Sequence, residues 1–434
     1  MTDPIDLLQQ LIRIDTTNPP GNEAAAISLI RDVIESAGIT TNLLSKDPAR
    51  PNLISKIPGA AVAPPFLMQG HVDVVPTTGQ QWAHNPFGGD IIDGYLWGRG
   101  TLDMKGAVVM MVDAFLRLAA SDEPPAGDVI LCVLADEEMH GTFGARFLVE
   151  ERPDVFDGVQ YCIGEFGGFS FRLGGRTFYP IQIAERVGVK FELTVRGPAG
   201  HGSMPTRGGT TARLGRLLTT LDRKRMPIHI VPATRMMLEG IADHTEGTTR
   251  RAVQSLLNPR TAGTTLKVLH KQLGVMEPLL RNTVSATVIQ GGDKHNVIPA
   301  EIRVTLDGRM LPGLDASEMA AELQAMIGPD IEIAYEVDGK PVPAKPDMGL
   351  FPLLADTLRR LDPAGIPIPF MMPAVTDGRW FAQLGIQPYG FTPMTLPEGF
   401  NFQSTVHAAD ERIPVQAISN GADAIYQLLT RYAG

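Results

Sequence analysis

The feature of this sequence that most constrains its fold is the alternation of short apolar runs with helical stretches over the first 165 residues. The runs FLMQGHV, DVILCVLA and VQYCIG have the length and composition of buried strands, and a periodic helical stretch from Met104 to Ala120 separates the first two. Strands that alternate with helices pair in parallel, because each helix carries the chain back across a face of the sheet. The pattern therefore predicts an α/β domain with a mostly parallel central sheet covered on both faces.

The pattern changes after the third apolar run. The run VGVKFELTVRG alternates between apolar and polar residues, and it is followed by a helix, the runs NTVSATVIQGG and AEIRVTLDGRM, a second helix and the run IEIAYEV. This β-α-β-β-α-β order predicts a ferredoxin-like α+β domain over residues 187–338, with extra helical chain at about 224–281. The α/β character then returns. We therefore expect a first domain made of residues 1–186 and 339–434, into which the second is inserted.

Composition narrows the class of protein. The chain has 434 residues, of which 44% are hydrophobic and 20% charged, and its formal net charge is −10. Nucleic acids and anionic membranes attract basic surfaces, so the acidic balance argues against both as partners. The start of the chain lacks a basic segment followed by an apolar run, which predicts a cytoplasmic protein. Cys132 and Cys162 lie in apolar strand-like runs, and we expect reduced core residues there.

Polar side chains follow the ends of the predicted parallel strands. His71 and Asp73 stand two positions apart at the end of the first run, so both side chains lie on the same side of the chain. Glu137 and Glu138 follow DVILCVLA, and Glu165 ends VQYCIGE. Ligand crevices of open α/β sheets form at the carboxyl ends of the strands. Taken singly, a core histidine or a solvated glutamate pair is the simpler interpretation, but together these side chains predict a shared site.

Asp103 and His407 complete the candidate set. Asp103 lies in GRGTLDMKG, where three glycines permit a tight turn, and His407 lies in STVHAADE ahead of the last predicted helix. A single aspartate held by such a turn can bridge two cations with its two oxygens. Two histidines and three carboxylates suit divalent ions of intermediate hardness. The sequence predicts two divalent metal ions, zinc in the first place, with cobalt and manganese as alternatives.

Taken together, these motifs resemble the M20 metallopeptidase family. The likeness is carried, in order, by GHVDVVP, WAHNPF, DGYLWGRGTLDMKG, ADEEMHG, GEFGG, GPAGHGSMP and VHAADE, and it extends from about Ile5 to Val415. The family includes aminoacylase, acetylornithine deacetylase, succinyl-diaminopimelate desuccinylase and glutamate carboxypeptidase. The resemblance implies a zinc-peptidase-like catalytic domain and an inserted lid domain. It also implies a homodimer formed through the lid, although an enlarged lid could cover its own edge strand and leave a monomer.

The resemblance implies a role for each candidate ligand. His71 and Glu165 would bind one ion, Glu138 and His407 would bind the other, and Asp103 would bridge the two. In relatives the peptide bond that follows the bridging aspartate is cis.

The same resemblance implies catalytic roles. Glu137 matches the general base of the family, and Asp73 matches the carboxylate behind the metal-binding His71. His201, in GPAGHGSMP, matches a lid histidine that reaches the tetrahedral intermediate, often from the partner subunit of a dimer. Without the resemblance, an exposed turn residue is the simpler interpretation of His201.

Three further residues match positions that contact the substrate carboxylate in relatives. Arg379 and Arg309 offer the guanidinium group, which binds carboxylates in a bidentate manner, and Asn296 resembles a lid residue that also touches the carboxylate. The alternative for the two arginines is a structural ion pair with Asp377 and Asp307, which stand two residues earlier.

The predicted reaction is hydrolysis of the amide bond of a small carboxylate-bearing molecule. The substrate would be an N-acyl amino acid or a peptide cut at its C-terminus. A dipeptidase or aminopeptidase is the alternative, and it requires an acidic subsite for the free amine. A metal-dependent binding protein without turnover is disfavoured, because Glu137 and every ligand position are present.

Apolar residues that are close in sequence to candidate site residues allow two interpretations. A wall that receives an apolar acyl group or side chain is one interpretation, and ordinary core packing is the other. The residues concerned are Phe166, Phe169, Phe171, Met371 and Met372.

Overall fold

The computed structural model describes residues 3–204, 207–269, 274–340 and 343–434. The chain forms two compact units, and the residues of the second interrupt the sequence of the first. The first unit comprises Met1–Ile183, Pro346–Phe370 and Thr376–Gly434. The second comprises Ala184–Lys345 and Met371–Val375.

The described chain contains both helices and strands, in places as runs of several helices or several strands in succession. In chain order the α-helices are α1 (Pro4–Ile12), α2 (Ala24–Ser36), α3 (Lys105–Ala119), α4 (Ala145–Glu151), α5 (Thr210–Arg223), α6 (Pro232–Asp243), α7 (Gly247–Leu256), α8 (Pro259–Val268), α9 (Ala316–Ile327), α10 (Phe351–Leu361), α11 (Gly378–Phe381), α12 (Phe402–Thr405) and α13 (Val415–Arg431). The strands are β1 (Thr41–Leu44), β2 (Asn52–Ile57), β3 (Phe66–His71), β4 (Ile91–Ile92), β5 (Tyr95–Trp97), β6 (Val129–Leu134), β7 (Tyr161–Gly164), β8 (Phe171–Leu173), β9 (Arg176–Glu185), β10 (Val187–Arg196), β11 (Gly200–His201), β12 (Thr283–Gln290), β13 (Val297–Ile298), β14 (Glu301–Met310), β15 (Glu332–Val337), β16 (Ile366–Met372), β17 (Gln387–Gly390) and β18 (Arg412–Pro414).

The first unit is built on a sheet with the strand order β1-β2-β6-β3-β7-β17-β9-β16, to which β8 is added beside β9. The central strands β6, β3, β7 and β17 run parallel to one another. Towards the edges, β2 is antiparallel to β6 and β9 is antiparallel to β17. The predicted mostly parallel central sheet is therefore confirmed, and its antiparallel members lie outside the central four strands.

Alternate residues of β3 show why both faces of this sheet are covered. Leu67 belongs to a core cluster with residues of α4 and α11, whereas α3 and α13 pack against each other and α3 contacts β3 and β6. Phe66, the neighbour of Leu67, has its ring centroid 4.8 Å from that of Tyr432. Cys132 and Cys162 are buried and unbridged, as expected. Among the described residues, no helix is long and apolar enough to cross a membrane.

The second unit contains a four-stranded antiparallel sheet with the order β12-β14-β10-β15. Helices α5 and α9 cover one face of it, because β10 and β14 alternate apolar with polar residues and turn the apolar ones towards those helices. Phe191, on β10, is fully buried in this core. The succession β10, α5, β12, β14, α9, β15 is the β-α-β-β-α-β order that the sequence pattern predicts.

Helices α6, α7 and α8 form most of the extra chain predicted at about 224–281, where residues 270–273 lie outside the described part. These helices pack on one another in sequence order. Strand β12 stays exposed from residue 285 to residue 290. The extra helices therefore leave that edge of the sheet uncovered.

Candidate metal centre

Three neighbouring parallel strands of the first unit present polar side chains at their carboxyl ends. His71 is the last residue of β3. Glu137 and Glu138 form a 3-10 turn just after β6, and Glu165 directly follows β7. Because β6, β3 and β7 are adjacent in the sheet, their carboxyl ends bring these four residues together.

Asp103 reaches the same place from a glycine-rich turn that leads into α3. Gly100 has a φ of +90°, a conformation that residues with a Cβ rarely adopt. At Gly106, a Cβ would lie 2.2 Å from the carbonyl oxygen of Thr101, so the turn also needs the missing side chain there. The peptide bond between Asp103 and Met104 is cis, as the family resemblance implies.

His407 comes from a loop that follows α12. Its backbone has a φ of +61°, in the left-handed region, and its side chain is 48% exposed. His407 therefore supplies the most exposed edge of the cluster, whereas His71 and Asp103 are 1% and 5% exposed.

The two oxygens of Asp103 face two different histidines. Oδ1 lies 3.2 Å from Nε2 of His71, which is also 3.6 Å from Oε2 of Glu165. Oδ2 lies 2.9 Å from Nε2 of His407, which is also 3.3 Å from Oε1 of Glu138. The five predicted ligand residues thus form two groups, His71 with Glu165 and His407 with Glu138, that share Asp103.

Burial disfavours charge on the carboxylates of this cluster. It raises the pKa of Glu137 and of Glu165 well above the usual range, and a neighbouring carboxylate adds to each rise, Glu165 for Glu137 and Asp103 for Glu165. Burial has the same effect on Asp103, but hydrogen bonds with the two histidines outweigh it and hold the pKa of Asp103 below its usual range. Asp103 is therefore the group that keeps its negative charge most firmly.

The carboxylates around the two imidazoles favour the charged, protonated form of each ring. Hydrogen bonds with Asp103 and then Glu138 raise the pKa of His407 to about 10. Burial acts to lower the pKa of His71, yet its hydrogen bonds with Asp103, Asp73 and Glu165 outweigh burial and hold that pKa well above the ordinary value. Both histidines therefore bind a proton tightly where a cation would compete for the same nitrogen.

The donor set fits a pair of divalent ions. In the described part of the chain, the ion pairs of Asp103, Glu138 and Glu165 are made with His71 and His407. Buried carboxylates in excess of cationic partners are costly unless a cation joins them. Each group offers one imidazole nitrogen and carboxylate oxygens within 4.8 Å of one another. Such mixed nitrogen and oxygen sets bind zinc and similar ions.

Asp73 lies behind this cluster and anchors two parts of it. Nδ1 of His71 lies 3.4 Å from Oδ1 of Asp73 and 3.0 Å from its backbone oxygen, which orients the ring so that Nε2 faces Asp103. The backbone N–H groups of Glu137 and Glu138 donate to the two carboxylate oxygens of Asp73, at 3.1 and 3.2 Å. One buried carboxylate thus positions both the histidine and the glutamate pair.

Residues without a predicted role support Asp73. Nδ2 of Asn18 donates to Asp73 at 2.8 Å and to Asp136 at 3.0 Å. Asp136 has a φ of +67° and pairs with Arg50 at 2.9 Å, which in turn pairs with the buried Glu23. Asn18, Arg50 and Glu23 lie outside the motifs of the sequence, and they join Asp73 and Asp136 only in the folded chain.

The predicted residues of the second unit form two separate groups. β11 pairs with β13, and the N–H of Gly202 donates to the carbonyl oxygen of Asn296 at 2.8 Å, so His201 and Asn296 lie on adjoining segments. Nδ1 of His201 accepts from the N–H of Ser203 at 3.2 Å. A neutral imidazole bonded in this way carries its proton on Nε2. Ser203 was not among the predicted residues, although it belongs to the HGS motif.

Arg309 is held by its own strand. Its Nε lies 3.0 Å from Oδ1 of Asp307 on β14. This is the ion pair that the alternative interpretation of Arg309 describes. Arg186 adds a second cation beside it, because the Arg186 guanidinium donates to the backbone oxygen of Arg309.

Arg379 lies in the first unit, at the start of α11. Its guanidinium carbon is 5.1 Å from the ring centroid of Trp380. Asp377, two residues earlier, is 2% exposed, and burial raises its pKa to about 7 against the opposing charges of His71 and Arg379. The sequence suggested for Asp377 only the pairing with Arg379.

The apolar residues singled out in the sequence divide into two kinds. Phe169 stacks on Phe402 with centroids 3.9 Å apart, and Phe166 meets the same ring edge to face at 6.0 Å. Phe166 and Phe169 follow Glu165 in the sequence, and Phe402 precedes His407. Met371 and Met372, by contrast, are 0% and 7% exposed and belong to the core of the second unit.

Comparison with known proteins adds independent observations. The profile of peptidase family M20/M25/M40 matches residues 67–431. The chain is 26% identical over 404 residues to the probable carboxypeptidase S-like 2 of Dictyostelium discoideum, covering 84% of this chain and 71% of that protein. It is 28% identical over 384 residues to the human N-fatty-acyl-amino acid synthase/hydrolase PM20D1, covering 84% and 73%.

A solved structure shares the fold. The M20 family metallo-carboxypeptidase Sso-CP2 from Sulfolobus solfataricus superposes with a TM-score of 0.71, covering 100% of both chains at 18% sequence identity. The fold is therefore retained where little of the sequence is.

Metal binding to this cluster should weaken as the pH falls. A histidine whose pKa is raised to about 10 is protonated at neutral pH, so an ion must displace that proton from His407. We expect binding of Zn²⁺ to the metal-stripped protein to release protons, and the affinity to rise between about pH 6 and pH 8. Calorimetric titration in two buffers of different ionisation enthalpy measures the release, and His407→Gln should release about one proton fewer. Affinity independent of pH would contradict this assignment.

Proposed function

The chain belongs to peptidase family M20/M25/M40, and we propose that it is a two-metal amidohydrolase that removes the acyl group from an N-acyl amino acid or cleaves a peptide at its C-terminus. The observation that carries the proposal is the geometry of Asp103, whose two oxygens lie 3.2 and 2.9 Å from the nitrogens of two histidines. Such an aspartate can be shared by two cations.

The proposed ligands are His71 and Glu165 for one ion and Glu138 and His407 for the other, with Asp103 common to both. Zinc is the proposed metal, and cobalt or manganese would suit the same donors. Two such ions, when bound, would lower the pKa of a water molecule and polarise the scissile carbonyl.

Glu137 is the proposed general base. It lies in the same cluster as His71 and Glu138, yet it is not needed to complete either ligand group. Burial and the charge of Glu165 raise its pKa, which makes its carboxylate a stronger base. Glu137 would take the proton from the attacking water and deliver it to the leaving amine. Asp73 would keep both Glu137 and His71 in position.

His201 is the proposed stabiliser of the oxyanion that develops on the scissile carbonyl. With Nδ1 occupied by the N–H of Ser203, its Nε2–H is the donor available for an oxygen. Asn296, on the adjoining segment, is proposed to contact the substrate carboxylate.

Arg379 is the proposed binding group for the substrate carboxylate. Stacking beside Trp380 orients its planar guanidinium, and a fixed guanidinium can bind a carboxylate through two hydrogen bonds. Arg309 also remains a proposed carboxylate contact. Its pairing with Asp307 means that a substrate carboxylate would have to compete with Asp307 for the Arg309 guanidinium.

The acyl side of the substrate is proposed to be apolar. Phe166, which is partly exposed and follows Glu165 in the sequence, packs against the buried ring of Phe402 in the first unit. One of the most similar relatives is named for hydrolysis of N-fatty-acyl amino acids, and another for carboxypeptidase activity. Both kinds of substrate carry the carboxylate that Arg379 would bind.

A homodimer formed through the second unit is proposed as well. Strand β12 lies at the edge of its sheet, and Val288 and Ile289 on it are 44% and 51% exposed. An exposed apolar edge strand is a site for pairing with another chain. The extra helices leave this edge open, which favours the dimer over a self-covered monomer.

Glu137→Gln should abolish most turnover while leaving the metals bound. The amide keeps the shape of the side chain but cannot accept the proton, so we expect kcat/KM to fall about 10²- to 10⁴-fold. The assay would screen N-acetyl, N-succinyl, N-fatty-acyl and N-aromatic-acyl amino acids beside dipeptides, with metal content measured on each sample. Glu150→Gln, an exposed glutamate of the same unit, is the control. Near wild-type activity of Glu137→Gln would refute the assigned base, and preference for dipeptides would reassign the enzyme as a dipeptidase.

Arg379→Ala should discriminate substrates by their carboxylate. We expect about 10- to 100-fold loss of kcat/KM for the carboxylate substrate and little change for its carboxamide, because a charged hydrogen bond contributes about 1.5–3 kcal/mol. Arg146→Ala is a matched control, since the Arg146 guanidinium lies 5.2 Å from the same Trp380 ring. Equal loss with both substrates would exclude the carboxylate contact.

The dimer should dissociate when charge is placed on the exposed edge strand. Light scattering is expected to give twice the chain mass of 46.9 kDa for the wild type and the single chain mass for Val288→Asp with Ile289→Asp. Paired strand edges cannot bury two like carboxylates. Val62→Asp, at a site 76% exposed in the first unit, controls for added charge. A wild-type protein that stays at 46.9 kDa at every concentration would rule the dimer out.

A further inference from the structure

A buried glutamate, Glu411, closes the turn that carries Asp103. Its Oε1 accepts from the backbone N–H groups of Gly100 at 3.1 Å, Leu102 at 2.8 Å and Asp103 at 3.2 Å. Glu411 is 0% exposed, so these three bonds are made away from water. One carboxylate oxygen thus organises the backbone on which Asp103 sits.

Arg99 balances the charge of Glu411 and extends the network. It is 1% exposed, its Nη1 donates to Oε2 of Glu411, and its Nη2 donates to Oε1 of Gln80 at 2.8 Å. The guanidinium carbon also lies 5.2 Å from the ring centroid of Trp82. A buried guanidinium held on two sides in this way has a single orientation available.

Gln80 carries the network to the second histidine. Its Nε2 donates to the backbone oxygen of His407 at 2.8 Å, and nearby the N–H of Ala83 donates to Oδ1 of Asp410 at 2.8 Å. His407 and Asp410 both have a φ of +61°, a conformation that needs support from its surroundings. The segment from Gln80 to Ala83 provides that support.

We propose that Glu411, Arg99 and Gln80 are positioning residues that hold the Asp103 turn and the His407 loop at the separation two metal ions require. This inference rests on the proposed two-metal function. None of the three residues lies in either ligand group, yet the hydrogen bonds run without a gap from the N–H of Asp103 to the backbone oxygen of His407. Glu411 stands four residues after His407, so one short segment contributes both a ligand and the anchor of the bridging ligand.

Loss of different residues of this network should affect the binding of the two ions differently, and this difference can be measured. Gln80 bonds directly to the His407 loop but reaches the Asp103 turn only through Arg99 and Glu411, so its loss should affect mainly the ion held by Glu138 and His407. Glu411 holds Asp103, which both ions share, so its loss should affect both. A residue needed only for folding would lower thermal stability without distinguishing the ions.

The test is a Co²⁺ titration of the metal-stripped full-length protein, followed by visible absorption and by competition with a chelator. Gln80→Met removes all three hydrogen bonds of the side chain, with Arg99, Trp82 and His407, whereas Gln80→Glu keeps the acceptor for Arg99 and Trp82 but removes the donor to His407. Glu411→Gln keeps the size of the anchor but removes its charge. Gln10→Met and Asp154→Asn are the controls, because Gln10 also donates to a backbone oxygen and Asp154 also pairs with an arginine, both at exposed positions. Thermal unfolding is measured on every variant.

We expect both Gln80 variants to lose about 10-fold or more in affinity for one Co²⁺ ion and to keep the affinity for the other, with an altered cobalt spectrum. Glu411→Gln should weaken both ions, and the controls should bind as the wild type does. If Glu411→Gln does not fold, the Gln80 variants decide the matter alone. Wild-type affinities for both ions in both Gln80 variants would overturn the inference and leave the two-metal function standing. A wild-type protein that binds fewer than two ions would overturn both.

Discussion

The centre depends on one buried carboxylate placed between two imidazoles. Asp103 is 5% exposed, and its oxygens point to His71 from the end of β3 and to His407 from a loop near the C-terminus. Burial makes this arrangement costly for charged groups, and several further carboxylates share the same small volume. Two divalent cations would turn that repulsion into coordination, which is why the electrostatics of the cluster favour a metal centre over a set of salt bridges.

The fold serves this centre by bringing strand ends together. The parallel order of β6, β3 and β7 places Glu137, Glu138, His71 and Glu165 at a common edge, and the glycine-rich turn before α3 adds Asp103. Behind them, Asp73 accepts hydrogen bonds from the backbone of both glutamates while it orients the histidine. The ligands are therefore held mainly by backbone geometry and by buried carboxylates, with little reliance on exposed side chains.

Much of the first unit could be predicted from the sequence. Apolar runs separated by helical stretches indicate parallel strands. Polar residues directly after those runs mark the edge of the sheet at which the candidate metal ligands lie. The prediction was less complete where a role depends on contacts across the chain. Asn18 carries no local signal, because its importance comes from meeting Asp73 and Asp136 in the fold. Glu411 lies in the VHAADE motif beside His407, so a signal was present, but its partners Gly100 and Arg99 are about 310 residues away.

By itself the sequence determined the family, the α/β pattern of the first unit, the β-α-β-β-α-β order of the second and the residue types of the metal cluster. Those properties follow from periodicity and short motifs, which are local. Only the tertiary structure decided which oxygen of Asp103 faces which histidine, that Arg309 is paired with Asp307, that Met371 is a core residue and that β12 stays exposed. These features depend on distances between segments far apart in the chain, and such distances are set by packing.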